Sequence, residues 1–381
     1  MKISIVYTST GAGHAKTAEA LYYYIRRHGR RCEVQLLDVL EQSDLIFRKF
    51  YSFGYSFMVK HAQWLWKILY YITAQRHLQP PLSKVRSIHN AVRLRGFIKY
   101  LLEEQPDVVV ATHFLPAAIT SYLKEEYKIS SKLISIVTDF GVHPFWVYDY
   151  TDYYCVATEK TKNQLEQLGV RKNKILVTGI PIDDKFTQKL NKEKMRLKIG
   201  IEPNKFTVLL MTGSFGIGPL EQITDALHTN VQLIVVCAQN KHLFKRLKAK
   251  NYTSAKIFGY VNNIAELMAA SDCIVTKPGG LTIAELLAME LPPIFISAIP
   301  GQEMENIRVL AEYGIVSLPS RRSIWSEATK IGIKKAKVVA QAVRQKVLTY
   351  LRQPEKLEVI RQKIRQLKRP KACEEIYHVI R

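Results

Sequence analysis

The chain has 381 residues, is 47% hydrophobic and carries a formal net charge of +23. That length suggests about two domains with ample cores, and the charge points to an anionic partner. The five cysteines are scattered with no CxxC pair, which argues against a zinc cage or a disulfide framework and favours a reducing cytosol.

In chain order, residues 2–8 read as a buried strand, 14–28 as a helix and 32–37 as a second strand. The apolar type returns at 107–111, 132–137, 153–157 and 175–177, with helices at 116–127 and 160–168. It restarts at 206–211 and continues through strands at 231–237, 256–258, 273–275 and 293–296, with helices including 262–270 and 302–312. Short apolar strands alternating with helices predict α/β architecture with parallel sheets and right-handed crossovers. The polar 181–203 stretch holds the expected linker between two Rossmann-like, doubly wound domains with a cleft between them. The expected bounds are 1–185, 186–350, and a helix over 351–381 that can return to the N-terminal domain.

Two segments break the alternation. Residues 45–102 contain ten Lys and Arg, no Asp or Glu, and many aromatics, Phe47, Trp64, Trp66, Tyr70 and Tyr71 among them. That composition suits a helix lying in a lipid headgroup layer, where each basic residue gains about 1 kcal/mol near an anionic leaflet. A helical insertion packed on its own domain is the plainer reading. Nucleic acid is the other anionic partner, although no RNA-binding signature occurs. The tail from residue 320 is basic, with helical periodicity from 334 to about 369. No uncharged run is long enough to span a bilayer.

The chemistry gathers at glycine turns. After the first strand comes Ser9-Thr10-Gly11-Ala12-Gly13-His14. Gly11 and Gly13 let a substrate approach the backbone, and His14 is a candidate general base. Lys16 stands where a dinucleotide fingerprint needs its third glycine, which argues against hydride chemistry. Thr138-Asp139-Phe140-Gly141-Val142-His143-Pro144-Phe145-Trp146 ends another strand. There Asp139 either orients a histidine or takes an acceptor proton itself. A capping Asp and a loop His are the bland alternative.

In the second half the turn 212–218 carries Gly213 and Ser214, and 276–285 carries Lys277, Gly279, Gly280, Thr282 and Glu285. A strand, a glycine turn and a helix start present bare N–H groups to a diphosphate. Glu285, one turn in, can accept from ribose hydroxyls. Tyr260 and Val261 lie in a strand-to-helix turn that can hold a flat base. Gln302, Glu303 and Asn306 open a helix where amide and carboxylates can meet sugar hydroxyls. A plain β–α turn with Thr282 as helix cap is the alternative at 276–285. No Walker loop, DxD motif or metal-ligand spacing occurs, so no metal is expected.

The ordered set TSTGAGHAKTAEAL, TDFGVHPFW, VTGIPIDDKF, TKPGGLTIAELLA and PGQEMEN resembles the processive diacylglycerol glucosyltransferases and the plant monogalactosyldiacylglycerol synthases. More distantly it is similar to the lipid-linked N-acetylglucosaminyltransferase of peptidoglycan synthesis. The likeness runs from residue 1 to about 315. It implies a GT-B fold and an inverting, metal-independent transfer of a hexose, glucose foremost, from a UDP-sugar to diacylglycerol, with no cofactor. Carried over, Gly279, Gly280 and Thr282 would hold the diphosphate, Glu285 the ribose, and Gln302 and Glu303 the sugar, with Asn306 supporting that loop. Gly213, Ser214, Tyr260, Val261 and Lys277 complete the expected donor set. His14 and Asp139 form the catalytic pair, and Gly11, Gly13, His143 and Trp146 face the acceptor. The implied location is cytoplasmic, peripheral on the inner face of the cell membrane, without a nucleic-acid partner. A polyprenyl-linked acceptor, a nucleotide-sugar epimerase and a non-catalytic basic binding protein are the competing readings.

Overall fold

A computed structural model describes residues 1–9, 11–29, 31–44, 62–74, 93–214, 216–296, 298–316 and 333–381, with isolated positions 47, 48, 51, 54 and 58. They form two units. The first comprises Met1–Asp183, Pro300–Val309 and Arg369–Arg381, and the second Asp184–Ile299 and Leu310–Lys368.

The first unit is built on six parallel strands, β1 (Lys2–Tyr7), β2 (Glu33–Asp38), β3 (Val108–Ala111), β4 (Lys132–Ile136), β5 (Tyr153–Cys155) and β6 (Ile175–Leu176). Their order is β2-β1-β3-β4-β5-β6. Ile3, Ile5 and Val6 are fully buried, as are Val109, Val110 and Ala111. Strands covered on both faces need continuous apolar runs, which is what the sequence provides. The helices are α1 (Ala12–His28), α2 (Gln63–Thr73), α3 (Arg95–Glu104), α4 (Phe114–Glu126) and α5 (Glu159–Gln167). The chain runs from β1 out to β2, then crosses to β3 on the other side, so the winding reverses at β1/β3.

The basic aromatic segment divides. At its end, Leu94, Phe97 and Leu101 are fully buried with Val109, Leu115 and Ile119, so this part is core and not interfacial. On α2, by contrast, Trp64, Ile68 and Ile72 are 68%, 47% and 45% exposed. Their four-residue spacing makes one apolar stripe. Residues 75–92 lie outside the described set.

The second unit carries five parallel strands, β7 (Thr207–Met211), β8 (Gln232–Val236), β9 (Ala255–Phe258), β10 (Cys273–Thr276) and β11 (Pro293–Phe295), in the order β11-β10-β7-β8-β9. Its winding reverses at β7/β10. Its helices include α6 (Lys192–Ile199), α7 (Leu220–Leu227), α8 (Lys241–Ala249), α9 (Ile264–Ala269) and α10 (Gly280–Ala288). The 181–203 stretch, expected to hold the linker, also contains α6. Arg196 on α6 is buried, its Nη2 bonds Asp272 at 2.7 Å and its Nε bonds the Ala270 carbonyl at 2.8 Å. The unit boundary itself falls between Asp183 and Asp184.

Two expected bounds need correction. Helix α11 (Gln302–Glu312) begins within Pro300–Val309, which groups with the first unit, not with 186–350. The expected helix over 351–381 is three elements, the end of α12 (Ile333–Arg352), α13 (Pro354–Leu367) and α14 (Ala372–Ile380). Pro354 can open a helix but cannot continue one, so α12 stops before it. Val339, Val343, Val347, Tyr350 and Leu357 pack into the second core. Only Arg369–Arg381 belongs to the first unit, with Cys373, Ile376, Tyr377 and Ile380 packed among Ile3, Leu21 and Ile134.

Candidate functional site

In a parallel sheet the carboxyl ends of neighbouring strands deliver their loops to one place. Strands β1, β3 and β4 are consecutive in the first sheet, so the residues after them converge. His14 lies in the first turn of α1, after the N-cap Gly11, which offers no side-chain cap. Its Nδ1 is 2.8 Å from the Thr112 carbonyl oxygen and 2.9 Å from Thr138 Oγ1. A carbonyl only accepts, so Nδ1 carries the proton and the neutral ring keeps its lone pair at Nε2. The Thr112 hydroxyl donates back to the His14 carbonyl at 3.0 Å.

His113 meets His14 edge to face, with ring centroids 4.6 Å apart at 86°. It caps α4, its Nδ1 accepting the Leu115 N–H at 3.0 Å. Burial depresses the His14 pKa, against the opposing pull of Asp139 and the Thr112 hydrogen bond. Burial, and then the charge of His14, hold His113 well below the ordinary histidine value.

Asp139, at the end of β4, is buried. Its Oδ1 accepts Asn306 Nδ2 at 2.9 Å, and its Oδ2 accepts the Gln302 amide. Burial raises its pKa, while the Asn306 bond, the charge of His14 and the Gln302 bond pull it down. The Asn306 oxygen accepts the N–H groups of Phe140 and Gly141 at 2.7 and 3.1 Å. One amide therefore fixes both the carboxylate and the turn that carries it. Asn306 is fully buried, so its geometry is that of the loop support and not of a donor contact.

Two expected acceptor residues are placed differently. The ring nitrogens of His143 lie against the Phe145 N–H at 3.2 Å and the Tyr70 carbonyl at 3.1 Å. His143 thereby pins α2 to the loop, and the Tyr70 ring lies 4.4 Å from it. Tyr70 also packs on Gly301, where an added Cβ would come within 2.5 Å of its ring. Trp146 is 4% exposed in a cluster with Val137, Tyr154 and Leu165, so its surroundings are those of a core residue.

In the second unit β7 and β10 pair directly, and their following turns leave side by side. Gly213 has φ +71° and Gly216 has φ +58°, conformations that glycine adopts without strain. A Cβ at Gly216 would lie 2.1 Å from the Cys237 carbonyl oxygen. Ser214 accepts the Gln239 N–H at 3.2 Å through its carbonyl. The buried Thr212 hydroxyl at the head of this turn has no hydrogen-bond partner among the described residues. Neither α7 nor α10 has a side-chain cap. The cap position of α10 is Gly279, so Thr282 lies inside its first turn and does not cap it. Gly280 is buried, and Lys277, Thr282 and Glu285 are half-buried along the same turn and helix. Tyr260 and Val261 follow β9, two strands from β7, and Tyr260 is 65% exposed. The loops are laced together, the Gly216 carbonyl accepting Asn240 Nδ2 and the Gly259 carbonyl accepting the Ala238 N–H.

Two doubly wound parallel sheets, one with a histidine–carboxylate cluster and one with paired glycine turns, are the parts of a GT-B glycosyltransferase. The comparisons agree. A profile described as Monogalactosyldiacylglycerol (MGDG) synthase matches residues 14–182, and one described as Glycosyltransferase family 28 C-terminal domain matches residues 207–313. A processive diacylglycerol beta-glucosyltransferase of Staphylococcus epidermidis is 32% identical over 312 residues, covering 80% of this chain and 78% of that one. A Staphylococcus aureus protein of the same name is 36% identical over 227 residues, 58% of each chain. Among solved structures, Acinetobacter baumannii MurG superposes with a TM-score of 0.59 at 14% identity, covering 100% of this chain and 98% of that one. A UDP-GlcNAc 2-epimerase from Neisseria meningitidis gives 0.58 at 15% identity, with 100% and 99% coverage. These two likenesses show the fold alone. The chain belongs to the processive diacylglycerol beta-glucosyltransferase family and is an enzyme, a glycosyltransferase.

Sequence reasoning missed Thr112, His113, Thr138 and Tyr70. The first three follow apolar strands, as Ser9 to His14 do. Their signal was readable only once β1, β3 and β4 were known to be neighbours.

Proposed function

We propose that this enzyme transfers a hexose, glucose foremost, from a UDP-sugar to diacylglycerol, with inversion, without a metal or cofactor, at an anionic membrane surface. The observation that carries the reading is His14, held by Thr112 with its proton at Nδ1 and paired electrostatically with Asp139. His14 Nε2 takes the acceptor hydroxyl proton while that oxygen attacks the anomeric carbon. The bond from that carbon to the diphosphate oxygen breaks on the opposite face. Asp139 has both oxygens engaged by amides, so its part is to stabilise the imidazolium. The departing diphosphate takes its stabilisation from the N–H groups opening α7 and α10, with Lys277 contributing charge.

Inversion is supported by the names of the relatives, since UDP-glucose carries an α-linked sugar and a beta product requires inversion. The membrane reading rests on the Trp64, Ile68 and Ile72 stripe within a segment rich in Lys and Arg. No helix among the described residues is long and apolar enough to cross a membrane. The test offers purified enzyme UDP-glucose or UDP-galactose and diacylglycerol in anionic vesicles, with and without EDTA. A β-glycosyldiacylglycerol formed equally in EDTA supports the proposal. An α product, a strict metal requirement or no lipid product overturns it. Replacing Trp64 and Ile68 by Ser should weaken vesicle cosedimentation about tenfold through lost apolar burial, and unchanged cosedimentation would remove the membrane element.

A further inference from the structure

His113 has no role in the chemistry described above, yet it is enclosed, titratable and in ring contact with the base. Its own protonation state is settled by geometry. The Leu115 backbone N–H can only donate, so Nδ1 of His113 must be unprotonated to accept it. A proton there would set donor against donor and remove the cap of α4. The ring is thus locked neutral, with its hydrogen at Nε2.

Thr112 and His113 together form the seat of His14. The Thr112 carbonyl takes Nδ1, the Thr112 hydroxyl holds the His14 main chain, and the His113 ring stands perpendicular against the imidazole. Because β3 neighbours β1, this dipeptide is delivered to the mouth of α1 by the sheet itself.

We propose that His113 is a positioning residue for the base, an imidazole pinned in its uncharged tautomer by a helix cap, which orients the His14 ring and keeps water from it. A charged neighbour would repel the imidazolium, and a small one would admit water that stabilises it prematurely. Either change alters how readily His14 rests as a free base. The charged group acting on His14 is then Asp139, from the end of β4, while His113, from the end of β3, faces it as an uncharged ring. The proposal rests on reading His14 as the base.

The test is an imidazole ¹⁵N NMR titration of the full chain, with His14 assigned through His14→Gln. In the wild type His113 should show the Nε2–H tautomer with no titration near the ordinary histidine value of 6.5. A His113 that titrates there overturns the proposal without any variant. His113→Asn keeps a cap acceptor and removes the ring, so the His14 midpoint should rise by roughly one pH unit. The acid limb of kcat/KM should move up with it. His113→Phe keeps the ring but lacks the cap acceptor, so Tm should fall while the His14 midpoint stays within about 0.3 of wild type. If the Asn variant leaves the midpoint in place, His113 is a helix cap and nothing more. Absence of sugar transfer by the wild-type enzyme would instead sink the proposed function, and the NMR midpoints would still report on the pair.

Discussion

The carboxyl ends of the two sheets present opposite kinds of group on the same topology. In the first unit the loops at the β1/β3 reversal bring together buried titratable side chains, namely His14, His113 and Asp139. In the second, the loops at the β7/β10 reversal expose glycines and uncapped helix starts. On the proposed function, one end would move a proton with buried titratable groups, and the other would meet anionic charge with main-chain amides. A doubly wound sheet supplies the place, and the residues after each strand decide what is done there.

The sharpest way to break this contrast is His14→Ala. Turnover should fall about 10²–10⁴-fold, the usual contribution of a general base, while UDP affinity measured by calorimetry holds. Equal loss of both would mean that the two ends are not chemically separate. Asp139→Asn should lower the rate about 10²-fold by removing the charge that stabilises the imidazolium. It also deletes the influence that raises the His14 pKa, so the acid limb of kcat/KM should move to lower pH. A limb that moves upward would contradict the electrostatic pairing.

On the other side, Gly216→Ala places a Cβ against the Cys237 carbonyl at a positive φ. Strain of about 1–3 kcal/mol should weaken UDP binding roughly tenfold without shifting any pH limb. The smallest effect is on stability. His14 and His113 are both held below their ordinary value of 6.5 in the fold. The unfolded chain then binds more protons below that pH, so their contribution is full above 6.5 and is lost as pH falls through the folded values. Thermal unfolding between pH 7 and 5 should show Tm declining, and less steeply in a His14→Gln, His113→Asn double variant.

Much of this plan was legible in residue order. The apolar runs gave the strands, and Gly11 to His14 and Gly279 to Glu285 gave the turns, because strand burial and glycine turns are local properties. The partnership of Thr112 and His113 with His14 was not legible, since it depends on β3 lying beside β1 across a long separation. The grouping of Asn306 with Asp139 was hidden for the same reason. Trp146 reads as an acceptor contact from its place in the motif that follows β4, because an aromatic there looks the same in sequence whether it faces solvent or core.

The membership of Arg369–Arg381 in the first unit has a consequence for synthesis. A ribosome must make the entire second unit before the helix that closes over Ile3 and Leu21 emerges. The half bearing His14 therefore waits, unfinished, while the half bearing the glycine turns can already mature. A nascent chain arrested before Arg369 would accordingly contain a mature second unit attached to an incomplete first one.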